Sequence, residues 1–526
     1  KKRNQKVRAQ IAFVYLLQNE NKPITIWDSY FKVGNIMSNF IANVLKLVSG
    51  SVTAQILGIL LVPLITRIYS PDDLGIFQIF LAVSGILVIF STFSYQFAIL
   101  LPKTEEDSAN VAFLCAILIT FISLLTAVAV IIFPQEIEYI LEQIFNSPGT
   151  SKYLIYLPAI IFFNGIFFVQ NYWLSRKIRF GVVAGSRILN TLSTKAFQLV
   201  IPIWNVSPLG LIAGYVIGYG FADLFMLKGV KEDFGIFRKV SVKKMKEMAI
   251  QYKNFPLFSS WSTLANTISP QVPTFLLAYF YSTSVVGYFS LANQVVNMPM
   301  GLLGTAIQQV FFQKISEVKN GNGKGDMKII VGEVYKKLIL IGVFPMILLL
   351  ILGEEIFTFA FGESWHISGT YVKILVPWIF LVFLSSPTST LYSVFDKQKV
   401  WLTFSITLLI SRVVALAIGG IYGSPEFALG LFSFTGVVFW LWNNAYLLNL
   451  AGINKMESIE ILIKYTTIGI VVSIPLILLE VFSANFYIIL LAAVIITPIY
   501  YGLTLHDDPT FRKIFSAFLV NVKNRT

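Results

Sequence analysis

Charge is scarce in this chain. Asp, Glu, Lys and Arg make up 13% of its 526 residues, against roughly 25% in an ordinary soluble protein. So few charges cannot cover a water-facing surface, which excludes a soluble enzyme, a secreted module and a disordered tail. Cysteine is nearly missing as well. Cys115 stands alone, so there is no intrachain disulfide and no thiolate metal cluster. Histidine occurs twice, as His366 and His506, too few for a histidine metal centre. No GxxxxGK[ST] string occurs, so direct ATP hydrolysis is not expected. No cofactor and no metal are expected.

What is present is apolar. Hydrophobic residues reach 56%, and the mean hydropathy is +0.74. Fourteen apolar segments are each long enough, at about 20 residues, to cross a bilayer as a helix. They lie near 44–66, 74–101, 109–134, 151–174, 181–203, 208–229, 257–281, 284–312, 331–353, 370–394, 399–423, 427–450, 458–480 and 485–504. Their continuity favours helices over the short alternating strands of a barrel.

The net charge of +13 is explained by where the bases sit. With both termini in the cytoplasm, 34 of the 40 lysines and arginines fall on cytoplasmic pieces, as the positive-inside rule requires. Only Arg67, Lys152 and Lys373 fall on the opposite side, and Arg187, Lys195 and Arg412 fall within spans. The opposite loops are acidic, with Asp72, Asp73, Glu136, Glu354, Glu363 and Glu426 among them. Nucleic acid is therefore not an expected partner. The expected protein is multi-pass, in the cytoplasmic membrane, with no inserted catalytic domain.

Residues 1–36 are polar and basic and lack the apolar core of a signal peptide. Two readings stand: a start at Met37 with an upstream artefact, or a cytoplasmic arm. The stretch 230–256, with Lys239, Lys243, Lys244 and Lys246, reads as an amphipathic surface helix. Trp173, Trp204, Trp365 and Trp378 read as interface anchors.

The chain repeats itself. Tyr69, Ser70, Gly75 and Phe77 match Tyr281, Ser282, Gly287 and Phe289 at a constant offset of 212 residues. A second echo pairs Pro158, opening the fourth span, with Pro377, opening the tenth. Six spans separate the copies, so the halves share an orientation. This predicts an all-α membrane protein of two pseudo-symmetric six-helix bundles with a cavity between them, plus two C-terminal helices. The expected divisions are an arm at 1–43, a lobe at 44–229, a basic linker at 230–256, a second lobe at 257–450, and two extra helices with a basic tail at 451–526. Ser70-Pro71-Asp72-Asp73 reads first as a helix cap. The alternative is an acidic pair holding a metal-diphosphate, and the second copy, Thr283-Ser284, carries no acid.

Several stretches resemble the polysaccharide flippase family, the O-antigen-type transporters of the MATE-like (multidrug-oligosaccharidyl-lipid-polysaccharide exporter) superfamily. They are Gly58–Phe77 (GILLVPLITRIYSPDDLGIF), Asn171–Phe180 (NYWLSRKIRF), the Phe255–Phe312 run, and Phe361–Gln398 with its FGESW start. The resemblance spans nearly all of residues 40–450. It implies a V-shaped, two-lobed bundle that is not an enzyme. Such a bundle moves a lipid-linked, polyprenyl-diphosphate oligosaccharide outward by alternating access, for cell-surface polysaccharide. It also implies membrane lipid and a polysaccharide polymerase or other assembly proteins as partners. Fourteen spans occur in the lipid II flippase branch too.

Charges inside the membrane are costly unless they face water, a partner or cargo. At 100° per residue, Arg187, Asn190, Thr194 and Gln198 share one face of the fifth span, with Lys195 on its border. Arg412 is the cation of the eleventh span. With Gln55 of the first span and Arg67 at its outer end, these are the candidate substrate-binding residues, suited to an anionic diphosphate or acidic sugar. Arg187 near the cytoplasmic face also fits snorkelling, and Arg67 fits an interfacial anchor. Asp223 has two readings: an ion pair with Lys195 or Arg187, or the carrier of a coupling proton. Two other functions compete. A drug or cation exporter on the same scaffold needs acids in its cavity, where only Asp223 is offered. A membrane polymerase or glycosyltransferase needs a large outer loop or a catalytic charged pair.

Overall fold

The computed structural model describes residues 49–145, 151–300, 305–319, 326–482 and 484–506. The N-terminal arm, Met37 and most of the basic tail lie outside the described residues. All regular structure among the described residues is helical. The first half comprises α1 (Ser49–Thr66), α2 (Pro71–Thr92), α3 (Glu105–Ile132), α4 (Pro134–Phe145), α5 (Leu157–Arg176), α6 (Phe180–Val200) and α7 (Pro208–Val230). The linker carries α8 (Val242–Gln251). The second half comprises α9 (Ser260–Phe280), α10 (Thr283–Pro299), α11 (Thr305–Lys319), α12 (Met327–Phe361), α13 (His366–Ser385), α14 (Gln398–Tyr422) and α15 (Pro425–Leu450). Two further helices follow, α16 (Lys455–Val481) and α17 (Phe486–His506).

Every expected span overlaps a helix, with corrections: the expected spans 74–101 and 370–394 run past the ends of α2 at Thr92 and of α13 at Ser385. Eleven described helices are long and apolar enough to cross a membrane; α6, α9 and α10 are not among them. α6 and α9 carry polar residues that line interior cavities, which lowers their apolar content, and α10 is short, at 17 residues. The expected span 284–312 is divided between α10 and α11.

Helix ends follow local chemistry. Ser70 and Asp73 form a capping box at the start of α2: the Ser70 amide donates to Asp73 Oδ2 at 2.9 Å and the Asp73 amide to Ser70 Oγ at 3.2 Å. Ser282 caps α10 in the same way, accepting from the Val285 amide. The repeat extends to tertiary bonds. The Tyr69 hydroxyl donates to the carbonyl of Gln198 near the end of α6, at 2.9 Å. The Tyr281 hydroxyl donates to that of Gly419 near the end of α14, also at 2.9 Å. The second echo is looser, since Pro158 opens α5 but Pro377 lies inside α13.

Within each half the helices pack in matching pairs, α6 on α7 and α14 on α15. The halves meet where α2 packs on α10 and on α9, and where α1 approaches α12. They reach the end of α2 beside Ser94, to which Ser260 Oγ donates at 3.2 Å, and the end holding residues 66–73 and 281–284 carries the bonds that follow. Trp365 Nε1 donates to the Thr66 carbonyl at 2.7 Å, and Arg67 Nη2 to the Phe359 carbonyl at 3.0 Å. Asp72 Oδ1 accepts from Thr283 and Ser284. Asp72 thus ties the halves together and Asp73 caps α2, so the metal-diphosphate reading of this pair is corrected.

The opposite end is built by basic side chains. Arg176 donates to the carbonyls of Ile99, Leu100, Pro102 and Thr104. Buried Asp233 accepts from Trp173 Nε1 at 3.0 Å and from Arg179 Nη1 at 2.8 Å. The linker helix α8 buries Met245 and Met248. Its approach is held by Lys239, 2.7 Å from Glu106; this hydrogen bond and charge raise the Lys239 pKa above the ordinary lysine value. Trp173, Trp365 and Trp378 are buried, at most 8% exposed, so they pack protein rather than anchor at an interface; Trp204 alone of the four is exposed.

The last two helices dock through a defect. Pro345 inside α12 has no amide to donate to the carbonyl of Ile341. The Tyr501 hydroxyl of α17 donates to that carbonyl at 3.0 Å, and Tyr500 donates to the neighbouring Leu340 carbonyl at 3.3 Å. A backbone group freed in an apolar setting is satisfied by a neighbouring helix.

Candidate functional site

Two cavities flank α10. The first, about 540 Å³, is walled by α1, α2, α6 and α7. Its polar lining includes Gln55, Gln78, Asn190, Lys195 and Gln198. The second, about 440 Å³, is walled by α9, α13, α14 and α15, with Arg412 in its lining. Asn297 on α10 lines both. Its amide donates to the Asn293 carbonyl and to Asn293 Oδ1, each at 2.8 Å, which holds the shared wall in one orientation.

Glycines of α7 make room for the polar stripe of α6. A Cβ on Gly214 would stand 2.9 Å from the Gln198 amide nitrogen, and one on Gly218 would stand 3.0 Å from the Asn190 carbonyl. Thr194 and Gln198 pack against these glycines, Gln198 Nε2 donating to the Leu211 carbonyl at 3.0 Å, while Asn190 and Lys195 line the cavity. Lys195 Nζ donates to Gln198 Oε1 at 3.2 Å and has no carboxylate partner among the described residues. In the second cavity the Arg412 guanidinium lies over aromatic faces, 4.4 Å from the Trp378 ring centre and 4.8 Å from that of Phe432.

The structure brings together Gln55, Asn190 and Lys195, and places Arg412 in the companion cavity. It does not bring in the other three candidates. Arg187 is half-buried and turns to α1, donating to Ser51 Oγ at 2.6 Å. Arg67 spans the halves at the clasped end. Asp223 is 5% exposed, and neither carboxylate oxygen accepts a hydrogen bond among the described residues. The expected pair of Asp223 with Lys195 or Arg187 is therefore corrected: both cations bond elsewhere.

Sequence reasoning missed the aromatic wall of the second cavity, formed by Trp401, Phe404 and Trp440 beside Trp378. A signal was present. Trp401, Phe404, Ser405, Leu408 and Arg412 recur at three- and four-residue steps, one face of a helix.

Residues 64–369, more than half of the chain, match the family described as polysaccharide biosynthesis protein. The chain belongs to that family. The capsular polysaccharide biosynthesis protein CapF of Staphylococcus aureus is 22% identical to this family member over 365 residues, 65% of this chain and 81% of CapF. The fold is shared with solved transporters. The lipid II flippase MurJ, in an inward closed conformation, superposes with a TM-score of 0.65 at 16% identity, covering 88% of this chain and 99% of MurJ. An inward-facing multidrug resistance MATE transporter of the MOP superfamily gives 0.54 at 14% identity, over 77% and 94%. This polysaccharide biosynthesis protein is thus a multi-pass membrane protein with a MATE-like fold.

Proposed function

We propose that this polysaccharide biosynthesis protein is a flippase, not an enzyme. Its cargo is a polyprenyl-diphosphate-linked oligosaccharide, carried across the cytoplasmic membrane by alternating access for cell-surface polysaccharide. The observation that carries the reading is the pair of cavities either side of α10, each holding one cation, Lys195 or Arg412. A cation held inside a membrane domain is expensive unless it meets an anion or water. A diphosphate headgroup would meet Lys195 while its lipid tail stays in the bilayer. Support comes from the family, and from MurJ, whose name gives lipid II as what it flips.

The two halves are the lobes 44–229 and 257–450, joined by the linker 230–256 and followed by the extra helices at 451–526. The basic end faces the cytoplasm, with both termini there, and the clasp around Asp72 and Thr283 is the outer gate. Glycan release outward requires that clasp to part. The driving force is an ion gradient, the membrane potential or consumption of the glycan beyond the membrane. Assembly proteins such as a polymerase would receive the product. The competing exporter of drugs or cations has less support, because no carboxylate lines either described cavity.

The test is reconstitution of the full chain in vesicles with a fluorescent polyprenyl-diphosphate oligosaccharide, scoring label that reaches the far leaflet. Protein-dependent flipping is expected, with Lys195→Ala slowing it at least tenfold at unchanged thermal stability. No flipping by the intact chain, or a wild-type rate in Lys195→Ala, would refute the reading.

A further inference from the structure

The second cavity holds a chemistry that a diphosphate does not account for. Trp378, Trp401, Phe404, Phe432 and Trp440 line it. Arg412 has the faces of Trp378 and Phe432 as neighbours, and its Nε and Nη2 make no hydrogen bond among the described residues. The indole Nε1 atoms of Trp378 and Trp440 make none either, and all four donors are shielded from solvent. A buried donor without an acceptor costs about 1–3 kcal/mol, and buried indoles normally find a partner. Facing an aromatic ring returns part of that cost for Arg412, roughly 0.5–2 kcal/mol. It leaves the guanidinium fork unmatched, and that fork fits a planar carboxylate at two points.

Aromatic walls and a lone forked cation together describe one kind of ligand. The C–H face of a pyranose ring is apolar and flat enough to lie on an indole. A carboxylate on the same ring would reach the guanidinium. A diphosphate would bring about two charges to a wall that offers a single cation and mostly rings. The first cavity is lined by amides and an ammonium instead. We propose that the second cavity is a saccharide subsite for an acidic sugar. The ring stacks on the tryptophan wall and its carboxylate pairs with Arg412, while the diphosphate of the same cargo is held across Asn297 at Lys195. This rests on the flippase reading and narrows it to an oligosaccharide containing a uronic-acid-type residue.

Binding can be measured without transport, on the full chain in detergent, by calorimetric titration with D-glucuronate, D-glucose and inorganic pyrophosphate. The expected result is saturable glucuronate binding, at least tenfold tighter than glucose. Arg412→Gln should remove that preference and leave glucose binding unchanged. Arg412→Lys keeps the charge but loses the fork, so its preference should fall between the two. Trp440→Phe should weaken both sugars, because it removes a donor they share. Equal affinity for glucuronate and glucose in the wild type overturns the subsite. So does tighter pyrophosphate binding that depends on Arg412. Should Arg412→Gln fail to fold, an unchanged preference in Arg412→Lys together with unchanged sugar binding in Trp440→Phe is equally fatal. Loss of vesicle transport with intact glucuronate binding would instead refute the flippase reading and leave the subsite standing.

Discussion

Gly75 of α2 and Gly287 of α10 are each other's counterpart in a reciprocal contact. A Cβ on Gly75 would lie 3.2 Å from the Gly287 amide nitrogen and collide with the Thr283 carbonyl. A Cβ on Gly287 would lie 3.2 Å from the Gly75 amide nitrogen and collide with the Pro71 carbonyl. Both colliding carbonyls sit four residues before the glycine of their own helix, so the contact has a local two-fold axis. The 212-residue repeat in sequence is, in space, the joint between the halves.

Gly75→Val should therefore open this joint. Overfilling a close-packed contact costs about 1–3 kcal/mol. That shifts the clasped population roughly 5- to 150-fold, since every 1.4 kcal/mol is a factor of ten. The readout is disulfide formation in the double variant Asp72→Cys, Ser284→Cys, whose native side chains stand 3.4 Å apart. The single native cysteine, Cys115, is buried in the first half and does not compete. Cross-linking should fall steeply when Gly75→Val or Gly287→Val is added. Equal yields with and without the added valine would show that the clasp tolerates bulk.

The repeat was legible because it rests on short-range chemistry: a serine cap, a glycine where backbones touch, a tyrosine one residue before the cap. The stripe on α6 was legible for the same reason, since 100° per residue turns a string of polar residues into a face. What that stripe faces is a tertiary property. Arg187 shares the stripe with Asn190 but sits two turns below Lys195, where α1 offers Ser51. The tryptophans misled because an indole at a span's end serves an interface and a packed core equally well. Trp173 is decided by the buried Asp233 that accepts its hydrogen bond, 60 residues along the chain. Membrane charge patterning groups the basic loops, but does not reveal that Arg176 organises the loop at residues 99–104.

Tyr501→Phe isolates how the last two helices attach. The hydroxyl satisfies the Ile341 carbonyl left free by Pro345. Its loss should cost about 1 kcal/mol, with up to about 3 if the carbonyl stays buried and unpaired. Pairing Tyr501→Phe with Pro345→Ala separates cause from proximity. Alanine restores an amide donor within α12, so Tyr501→Phe should cost less in that background. Thermal unfolding in detergent gives both differences. An identical loss in the two backgrounds would mean that the hydroxyl is not compensating for the proline.

Asp223 separates two physical accounts by the sign of one measurement. A carboxylate engaged with Lys195 or Arg187 would be a buried ion pair, and removing one partner from such a pair destabilises by about 3–5 kcal/mol. The structure gives Lys195 to Gln198 and Arg187 to Ser51, and leaves both Asp223 oxygens without a donor. A buried polar group without a partner is a liability of about 1–3 kcal/mol. Asp223→Leu should therefore raise the unfolding temperature in detergent, whereas the pair account requires a fall. The coupling-proton reading is tested on Asp223→Asn in vesicles. This variant keeps the shape of the side chain but cannot exchange a proton at neutral pH. Transport driven by an imposed pH gradient should drop to the rate seen without the gradient, while the gradient-free rate stays at the wild-type value. If the gradient still accelerates Asp223→Asn as it does the wild type, the coupling group lies elsewhere, and Asp223 is only a destabilising residue of the α7 core.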